Sequence, residues 1–234
     1  MAKPFIKWAG GKSQLLQQIE TYLPAGFDDM QDMTYIEPFV GGGAMLFHML
    51  STHKNISRAI INDISLNLII AYRTIQTQPE PLIERLFEIQ EEYRKFDNDH
   101  RQEYFYKMRD SFNGEYTNDV ENTAMFIFLN RTCFNGLYRE NSKGKFNVPF
   151  GRYANPTICD AETIRSDSEL LQQVEILHGD YTQVENYIDG SNTFIYFDPP
   201  YRPLNATSSF NSYVKEPFND EEQRRLENFF CSNV

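Results

Sequence analysis

The residues best suited to chemistry are Asp198, Pro199, Pro200 and Tyr201, which directly follow the apolar run 193–197. Such a run is typical of a buried strand, and open α/β sheets bind ligands where their strands end. Asp198 can accept a hydrogen bond from an exocyclic amine, and a backbone carbonyl beside the prolines, which have no N–H, is a second acceptor. Tyr201 offers a ring on which a base can stack. Two acceptors make a nucleobase amine nucleophilic, although an ordinary strand followed by a proline-rich turn is the alternative.

A glycine-rich turn lies between a predicted strand, 34–37, and a predicted helix, 44–50. It contains Phe39 and three glycines at 41–43; glycines let the backbone approach a ligand, and the helix N-terminus adds a positive dipole. The spacing is not the pyrophosphate fingerprint Gly-x-Gly-x-x-Gly. Asp63 ends the next predicted strand, 58–63, about 20 residues on, where an acid binds ribose. The pattern favours S-adenosylmethionine over NAD, with an ordinary tight turn as the alternative.

A second glycine element, residues 7–13, resembles the end of a phosphate-binding loop. The first glycine of that loop would fall at position 6, which is Ile6, so an ATPase is excluded. Trp8 and Lys12 could still line a cofactor pocket, with Lys12 facing a carboxylate. A structured N-terminal loop is the alternative.

The middle of the chain is predicted to be helical. Helices are expected over 79–96, over 98–112 and from Asn118, which with Glu121 forms a capping-box pattern. Their aromatic residues are interpreted as core. Strands return at 174–178 and 193–197. The fold class is therefore α/β, with a discontinuous domain of residues 1–71 and 159–234 interrupted by a mainly helical insert, 72–158.

The charge distribution points to one localised basic surface. The chain has a net charge of −11, which argues against general affinity for nucleic acid. Segment 131–153 nevertheless carries five Lys or Arg residues against one acid, so it is +4 and the remainder is −15. Its predicted hairpin tip, 142–145, could meet phosphates, and its Asn and Arg side chains could read purine edges. A solvated basic loop is the alternative.

The hydrophobic pattern and the cysteines exclude several classes of protein. No apolar run approaches the about 20 residues that span a bilayer, and residues 1–7 lack the core of a signal peptide. Cys133, Cys159 and Cys231 fit neither a zinc site nor a disulfide framework. We expect a cytoplasmic protein with free thiols, no metal, no membrane contact and no obligate protein partner.

In their order along nearly the whole chain, these motifs resemble those of the Dam-type DNA adenine-N6 methyltransferases. The matching segments are 5–12, 37–44, 62–64, 134–139, 146–153, 179–181 and 198–201. The resemblance implies a Rossmann-like S-adenosylmethionine-dependent methyltransferase sheet, with the insert as target-recognition domain and double-stranded DNA as partner. Members with a Leu-x-Arg hairpin, here Leu137 to Arg139, commonly read GATC.

The resemblance also assigns roles to residues. Cofactor contacts fall to Trp8, Gly10, Lys12, Phe39, Gly41, Gly43, Asp63 (ribose) and Asp180 (adenine). Catalysis falls to Asp198, Pro199, Pro200 and Tyr201. DNA contacts fall to Lys7, Phe134 (a wedge beside the flipped base), Asn135, Leu137, Arg139, Lys143, Lys145, Pro149 and Arg152.

The family continues beyond its catalytic loop with further strands and helices, whereas this sequence ends at Val234. The C-terminal strands are therefore expected to be missing, and the strand before Asp198 is expected to expose an edge. Two alternative functions remain: a cytosine-N4 methyltransferase, which uses the same amine chemistry, and a truncated, non-catalytic DNA-binding protein. Methylation of cytosine at C5 needs a nucleophilic Cys, and the sequence contains no Pro-Cys pair.

Overall fold

A parallel four-stranded sheet carries the site. The computed structural model describes residues 2–188, 192–200 and 218–233. The strands are β1 (Met33–Glu37), β2 (Ile56–Asp63), β3 (Val174–His178) and β4 (Thr193–Ile195), in the order β3-β2-β1-β4. All three pairings are parallel. The central part of β2, residues 59–61, is apolar and buried because both faces of such a sheet are covered, and the carboxyl ends of the strands meet at one edge.

The register explains where β4 ends. Ile36 lies opposite Ile60 on one side and opposite Ile195 on the other. The strand predicted over 193–197 stops at Ile195 because β1 itself ends at Glu37. The Tyr196 amide still donates to the Ile36 carbonyl at 2.9 Å, so the chain leaves the sheet immediately before Asp198. Within the described residues, β4 is paired on one side only.

Eight α-helices lie in the described part of the chain. They are α1 (Leu16–Glu20), α2 (Ala44–Thr52), α3 (Leu66–Thr77), α4 (Pro79–Arg94), α5 (Asn98–Phe112), α6 (Asp119–Thr132), α7 (Ala161–Leu171) and α8 (Asp220–Asn233). Short 3₁₀ turns cover Phe27–Asp29, Phe134–Gly136 and Tyr181–Tyr187. No described helix is long and apolar enough to cross a bilayer.

Side-chain caps fix the start of the inserted helices. Asp97 accepts hydrogen bonds from the amides of Asp99 and His100 at the start of α5. Asn118 accepts from the Glu121 amide at 2.9 Å, which confirms it as the N-cap of α6. The Glu121 carboxylate is held by Arg85 of α4 at 2.6 Å, so the second half of the predicted capping box is replaced by an interhelical ion pair.

The aromatic residues of the insert are core, as predicted. Phe128 is fully buried and lies 5.6 Å from both Tyr93 and Tyr104, measured between ring centroids. One apolar core extends from Phe5 through these helices to Ile176 of β3. The predicted boundary between residues 71 and 72 lies inside α3, which packs against α6 and α7. The sheet and the insert therefore share side-chain packing.

Candidate active site

The carboxyl ends of the four strands surround a cavity of about 490 Å³. It is lined by every residue predicted to contact the cofactor, together with Asp198, Pro199 and Pro200. The structure thus brings together motifs that are up to 192 positions apart in the sequence, from Trp8 to Pro200. The fourth predicted catalytic residue, Tyr201, lies outside the described residues.

The glycine turn has a shape that side chains would block. Gly41 and Gly43 have φ angles of +49° and +73°, in the left-handed region. A Cβ atom at Gly41 would lie 2.9 Å from Trp8, and one at Gly43 would lie 2.4 Å from the Tyr72 hydroxyl. The turn therefore packs directly on Trp8, which forms one wall of the cavity.

Asp63 ties this turn to the end of β2. Its Oδ2 accepts from the Gly41 amide at 3.0 Å, and its Oδ1 accepts from the Ser65 amide at 2.9 Å. Burial raises the pKa of Asp63, and the two amide hydrogen bonds oppose that rise. Each carboxylate oxygen has a second lone pair, so the group can still accept from ligand hydroxyls.

Asp180 is engaged by an arginine that the sequence motifs did not indicate. Arg225 of α8 donates from Nη1 to Oδ2 and from Nη2 to Oδ1, both at 2.8 Å. Burial alone would raise the pKa of Asp180, but the Arg225 guanidinium and Thr182 hold it below its usual range. Arg225 also lies over the Tyr181 ring, 5.0 Å from its centroid. Glu222 and Arg225 of α8 thus line the cavity beside Asp180.

Lys12 faces a carboxylate, as predicted, and that carboxylate belongs to Asp198. The Lys12 ammonium lies 2.7 Å from Oδ1 and 2.6 Å from Oδ2, and it also donates to the Gly10 carbonyl at 2.8 Å. Both side chains are largely buried. This charge-assisted pair fixes the direction of the Asp198 carboxylate inside the cavity.

A further acid in the cavity, Glu37, was missed as a site residue. It is 3% exposed, lines the cavity and accepts a hydrogen bond from the Tyr35 hydroxyl at 2.9 Å. Burial raises the pKa of Glu37 well above its usual range, and the negative charges of Asp198 and Asp63 add to the rise. Its place directly before Pro38, at the end of β1, was the available sequence signal.

The predicted hairpin is present. Glu140 and Phe146 form an antiparallel bridge, and the Gly144 amide donates to the Asn141 carbonyl at 2.9 Å. Lys143 and Lys145 are exposed at this tip. Nearer the core, the Arg139 Nε donates to the Asn147 Oδ1 at 2.8 Å. The Arg139 Nη2 also donates to the Asn147 carbonyl at 3.5 Å, so the hairpin presents lysines at its end and holds the Arg139 guanidinium against Asn147 at its base.

The other predicted DNA contacts surround the base of the hairpin. The Phe134 amide donates to the Pro149 carbonyl at 2.8 Å, and the Phe134 side chain is 52% exposed. Leu137 is half-buried against the core. Asn135 and Arg152 are exposed, with φ angles of +56° and +55°. Such left-handed backbone is uncommon outside glycine, although asparagine adopts it more readily than most residues.

The described residues contain no cluster of metal-binding side chains. Within the described ranges, no group of three or more His, Cys, Asp and Glu side chains could hold a metal ion. Cys133 is buried, and burial raises the pKa of its thiol to about 12. Cys159 and Cys231 are free and, like Cys133, are not among the residues that line the cavity.

A parallel sheet with a glycine turn after β1, an acid after β2 and Asp-Pro-Pro after β4 defines a Rossmann-like methyltransferase. Residues 8–233 match the family model described as D12 class N6 adenine-specific DNA methyltransferase. The chain belongs to this family of enzymes.

Individual relatives support the same assignment. The chain is 49% identical over 230 residues to the type II methyltransferase M.MjaIII of Methanocaldococcus jannaschii, covering 97% of this chain and 79% of that protein. It is 42% identical to the type II methyltransferase M1.LlaDCHI of Lactococcus lactis subsp. cremoris, covering 97% and 76%. It is 32% identical to the DNA adenine methylase of Escherichia coli K12, covering 96% and 74%.

Proposed function

We propose that this protein transfers a methyl group from S-adenosylmethionine to N6 of adenine in double-stranded DNA, within the sequence GATC. The observation that carries the proposal is the convergence of Gly41, Asp63, Asp180 and Asp198 on one cavity. The cofactor supplies an electrophilic methyl group on a sulfonium. The cavity of about 490 Å³ falls within the 300–1,000 Å³ usual for small-molecule sites.

The residues of the cavity fit such a cofactor. In our proposal, Asp63 accepts from the ribose hydroxyls and Asp180 from the adenine amine. Phe39, Trp8 and the turn glycines form the apolar wall, and Lys12 meets the carboxylate of the methionine part. Lys12 donates to both oxygens of Asp198 and to the Gly10 carbonyl, which uses its three donors, so the cofactor carboxylate would take over one of the bonds to Asp198. Gly10 supplies a carbonyl that keeps the ammonium in place.

Asp198 and the Pro199 carbonyl would accept the two hydrogens of the target amine, so that the nitrogen lone pair points at the methyl group. Pro200 keeps the turn rigid, and Tyr201 would stack on the base. A base inside the duplex cannot reach this cavity, so it must be flipped out at a cost of a few kcal/mol. No covalent bond to the protein is required.

In the same proposal, residues 72–158 form the target-recognition part and residues 1–71 and 159–234 the catalytic part. Lys7, Asn135, Leu137, Arg139 and Pro149 would contact bases. Phe134, exposed beside the hairpin, would fill the space that the flipped base leaves. Lys143, Lys145 and Arg152 would meet phosphates, and these contacts carry the salt dependence of binding.

The test is methylation of matched duplexes that contain or lack GATC, followed by separation of the methylated nucleosides. The expected product is N6-methyladenine, formed on the GATC duplex and formed at least about 100-fold more slowly with Asp198→Ala. Formation of N4-methylcytosine would assign the protein to cytosine instead. Binding of GATC duplexes without any methyl transfer would establish a non-catalytic DNA-binding protein.

A further inference from the structure

One buried asparagine, Asn130, joins the N-terminal segment around Lys7 to the recognition loop, residues 134–139. It lies in the last turn of α6 and is 1% exposed. Its Oδ1 accepts from the Lys7 amide at 2.8 Å, and its Nδ2 donates to the Lys7 carbonyl at 2.8 Å and to the Gly136 carbonyl at 3.0 Å. Both amide hydrogens and the amide oxygen are therefore used.

These three bonds connect parts of the chain that are distant in sequence. Lys7 lies 123 positions before Asn130, in the segment that continues into Trp8. Gly136 closes the 3₁₀ turn that starts at Phe134. The Asn130 amide satisfies the N–H and the C=O of Lys7 together, as a neighbouring strand would, and its other amide hydrogen is donated to the Gly136 carbonyl.

The direction of the Lys7 side chain is set at the same place. A Cβ atom on Gly136 would lie 2.4 Å from the Lys7 Cδ and 3.0 Å from its Cβ, so the aliphatic stem of Lys7 runs across the bare glycine. The Lys7 ammonium then lies 5.4 Å from the centroid of the Tyr153 ring. Backbone and side chain of Lys7 are thus both aligned on the recognition loop.

We infer that Asn130 is a positioning residue for sequence discrimination. It holds Lys7 at the depth and in the direction at which the ammonium can donate to the major-groove edge of a purine, where guanine offers O6 and N7. The inference rests on the proposed function, which gives Lys7 a base contact. Asn130 itself touches neither DNA nor cofactor; it acts through Lys7.

A residue that acts through Lys7 should change sequence discrimination only when Lys7 is present, whereas a merely structural residue should not depend on Lys7. Discrimination is measured as kcat/KM on a GATC duplex divided by kcat/KM on the same duplex with one substituted base pair. Lys7→Ala should lower this ratio by about 10-fold or more. Asn130→Ala should lower it to a similar extent, and the double variant should equal Lys7→Ala, because coupled residues are not additive.

Two further variants separate positioning from folding. Asn55 also donates from its side chain to a backbone carbonyl, that of Phe27 at 2.7 Å, directly before β2; Asn55→Ala should leave the ratio at its wild-type value. Gly136→Ala places a methyl group against the Lys7 stem and leaves the Asn130 side chain unchanged. It should lower the ratio in the wild-type background and not in Lys7→Ala, so the question can be answered even if Asn130→Ala unfolds.

The outcomes distinguish this inference from the proposed function. A wild-type protein that transfers no methyl group overturns both. A wild-type protein that discriminates, with Lys7→Ala discriminating equally well, overturns the inference and leaves the methyl transfer standing. Full additivity of Asn130→Ala and Gly136→Ala with Lys7→Ala also overturns it, because both changes would then act by loosening the loop in general.

Discussion

Asp63→Asn should weaken the binding of S-adenosylmethionine while leaving the fold in place. The carboxylate accepts one backbone amide on each oxygen, from Gly41 and from Ser65. An asparagine has one acceptor oxygen and two donors, so one of the two amides loses its partner and meets another N–H. Of the two, Gly41 belongs to the turn that lines the cavity, and its position depends on this bond.

The magnitude follows from the bonds that change. A hydrogen bond to a charged group contributes about 1.5–3 kcal/mol, so loss of the ribose contact should weaken affinity by about 10- to 150-fold. The stability of the fold should change less, because burial raises the pKa of Asp63. A raised pKa means that the ionised carboxylate disfavours the folded state at neutral pH, and the neutral amide removes that cost.

A calorimetric titration with S-adenosylmethionine, paired with a thermal melt, measures both quantities. Asp97→Asn is the matched control, because Asp97 also accepts two backbone amides, at the exposed start of α5. Asparagine is as good an N-cap as aspartate, so this variant should bind the cofactor like the wild type. Wild-type affinity in Asp63→Asn would refute the assignment of Asp63 to the ribose.

The remaining predictions concern catalysis, DNA reading and pH. Asp198→Ala should lower the rate constant of methyl transfer, measured in single-turnover assays, by about 100- to 1,000-fold or more, by analogy with loss of one preorganised partner of the reacting atom. Cofactor binding should persist. Near-normal turnover would contradict the catalytic role of Asp198. In competition binding, Arg139→Ala should weaken binding to GATC by about 1–3 kcal/mol and reduce discrimination at one base pair. Lys143→Ala should weaken binding to all duplexes equally and lower the slope of log affinity against log salt concentration by about one. Equal weakening on every duplex by Arg139→Ala would make Arg139 a phosphate contact. Burial lowers the pKa of His53, but hydrogen bonds to Asp28 and Glu20 outweigh it and raise that pKa overall. A raised pKa stabilises the fold below about pH 6.5 and the benefit is lost as pH rises through the folded value, so urea unfolding should show a decline there that His53→Gln removes; an unchanged slope would mean that His53 is not protonated in the fold.

The parts of the fold that could be predicted are those encoded by neighbouring residues. The apolar run before Glu37, the three glycines and the helix from Ala44 identify a strand, a turn and a helix within about 20 positions. The hairpin tip at 142–145 was recognisable for the same reason. The end of β4 could not be predicted, because it depends on where β1 stops, and β1 is 159 positions away in the pairing of Thr34 with Thr193.

The ion pairs of the site could be predicted only in part. Hydrophobic periodicity shows whether a residue faces the core or a sheet edge, but it does not show which charged side chain it pairs with. The pairing of Lys12 with some carboxylate was predictable from charge, yet four acids line the cavity beside Asp198: Glu37, Asp63, Asp180 and Glu222. Asp63 is occupied by amides and Asp180 by Arg225. The partner of Lys12 is thus set by which acids are already engaged, a property of the assembled sheet edge.

The same reasoning explains why Arg225 matters for the proposed cofactor. Its guanidinium occupies both oxygens of Asp180, so an adenine amine that binds Asp180 must share them or displace the arginine. Sharing needs only the second lone pair of one oxygen, and it leaves the cation–π contact with Tyr181 intact. Displacement would free α8 from its contact with Asp180. Since α8 also carries Phe229, which packs on Tyr181 and Phe197, the residue before Asp198 and the adenine end of the cavity are linked through one helix.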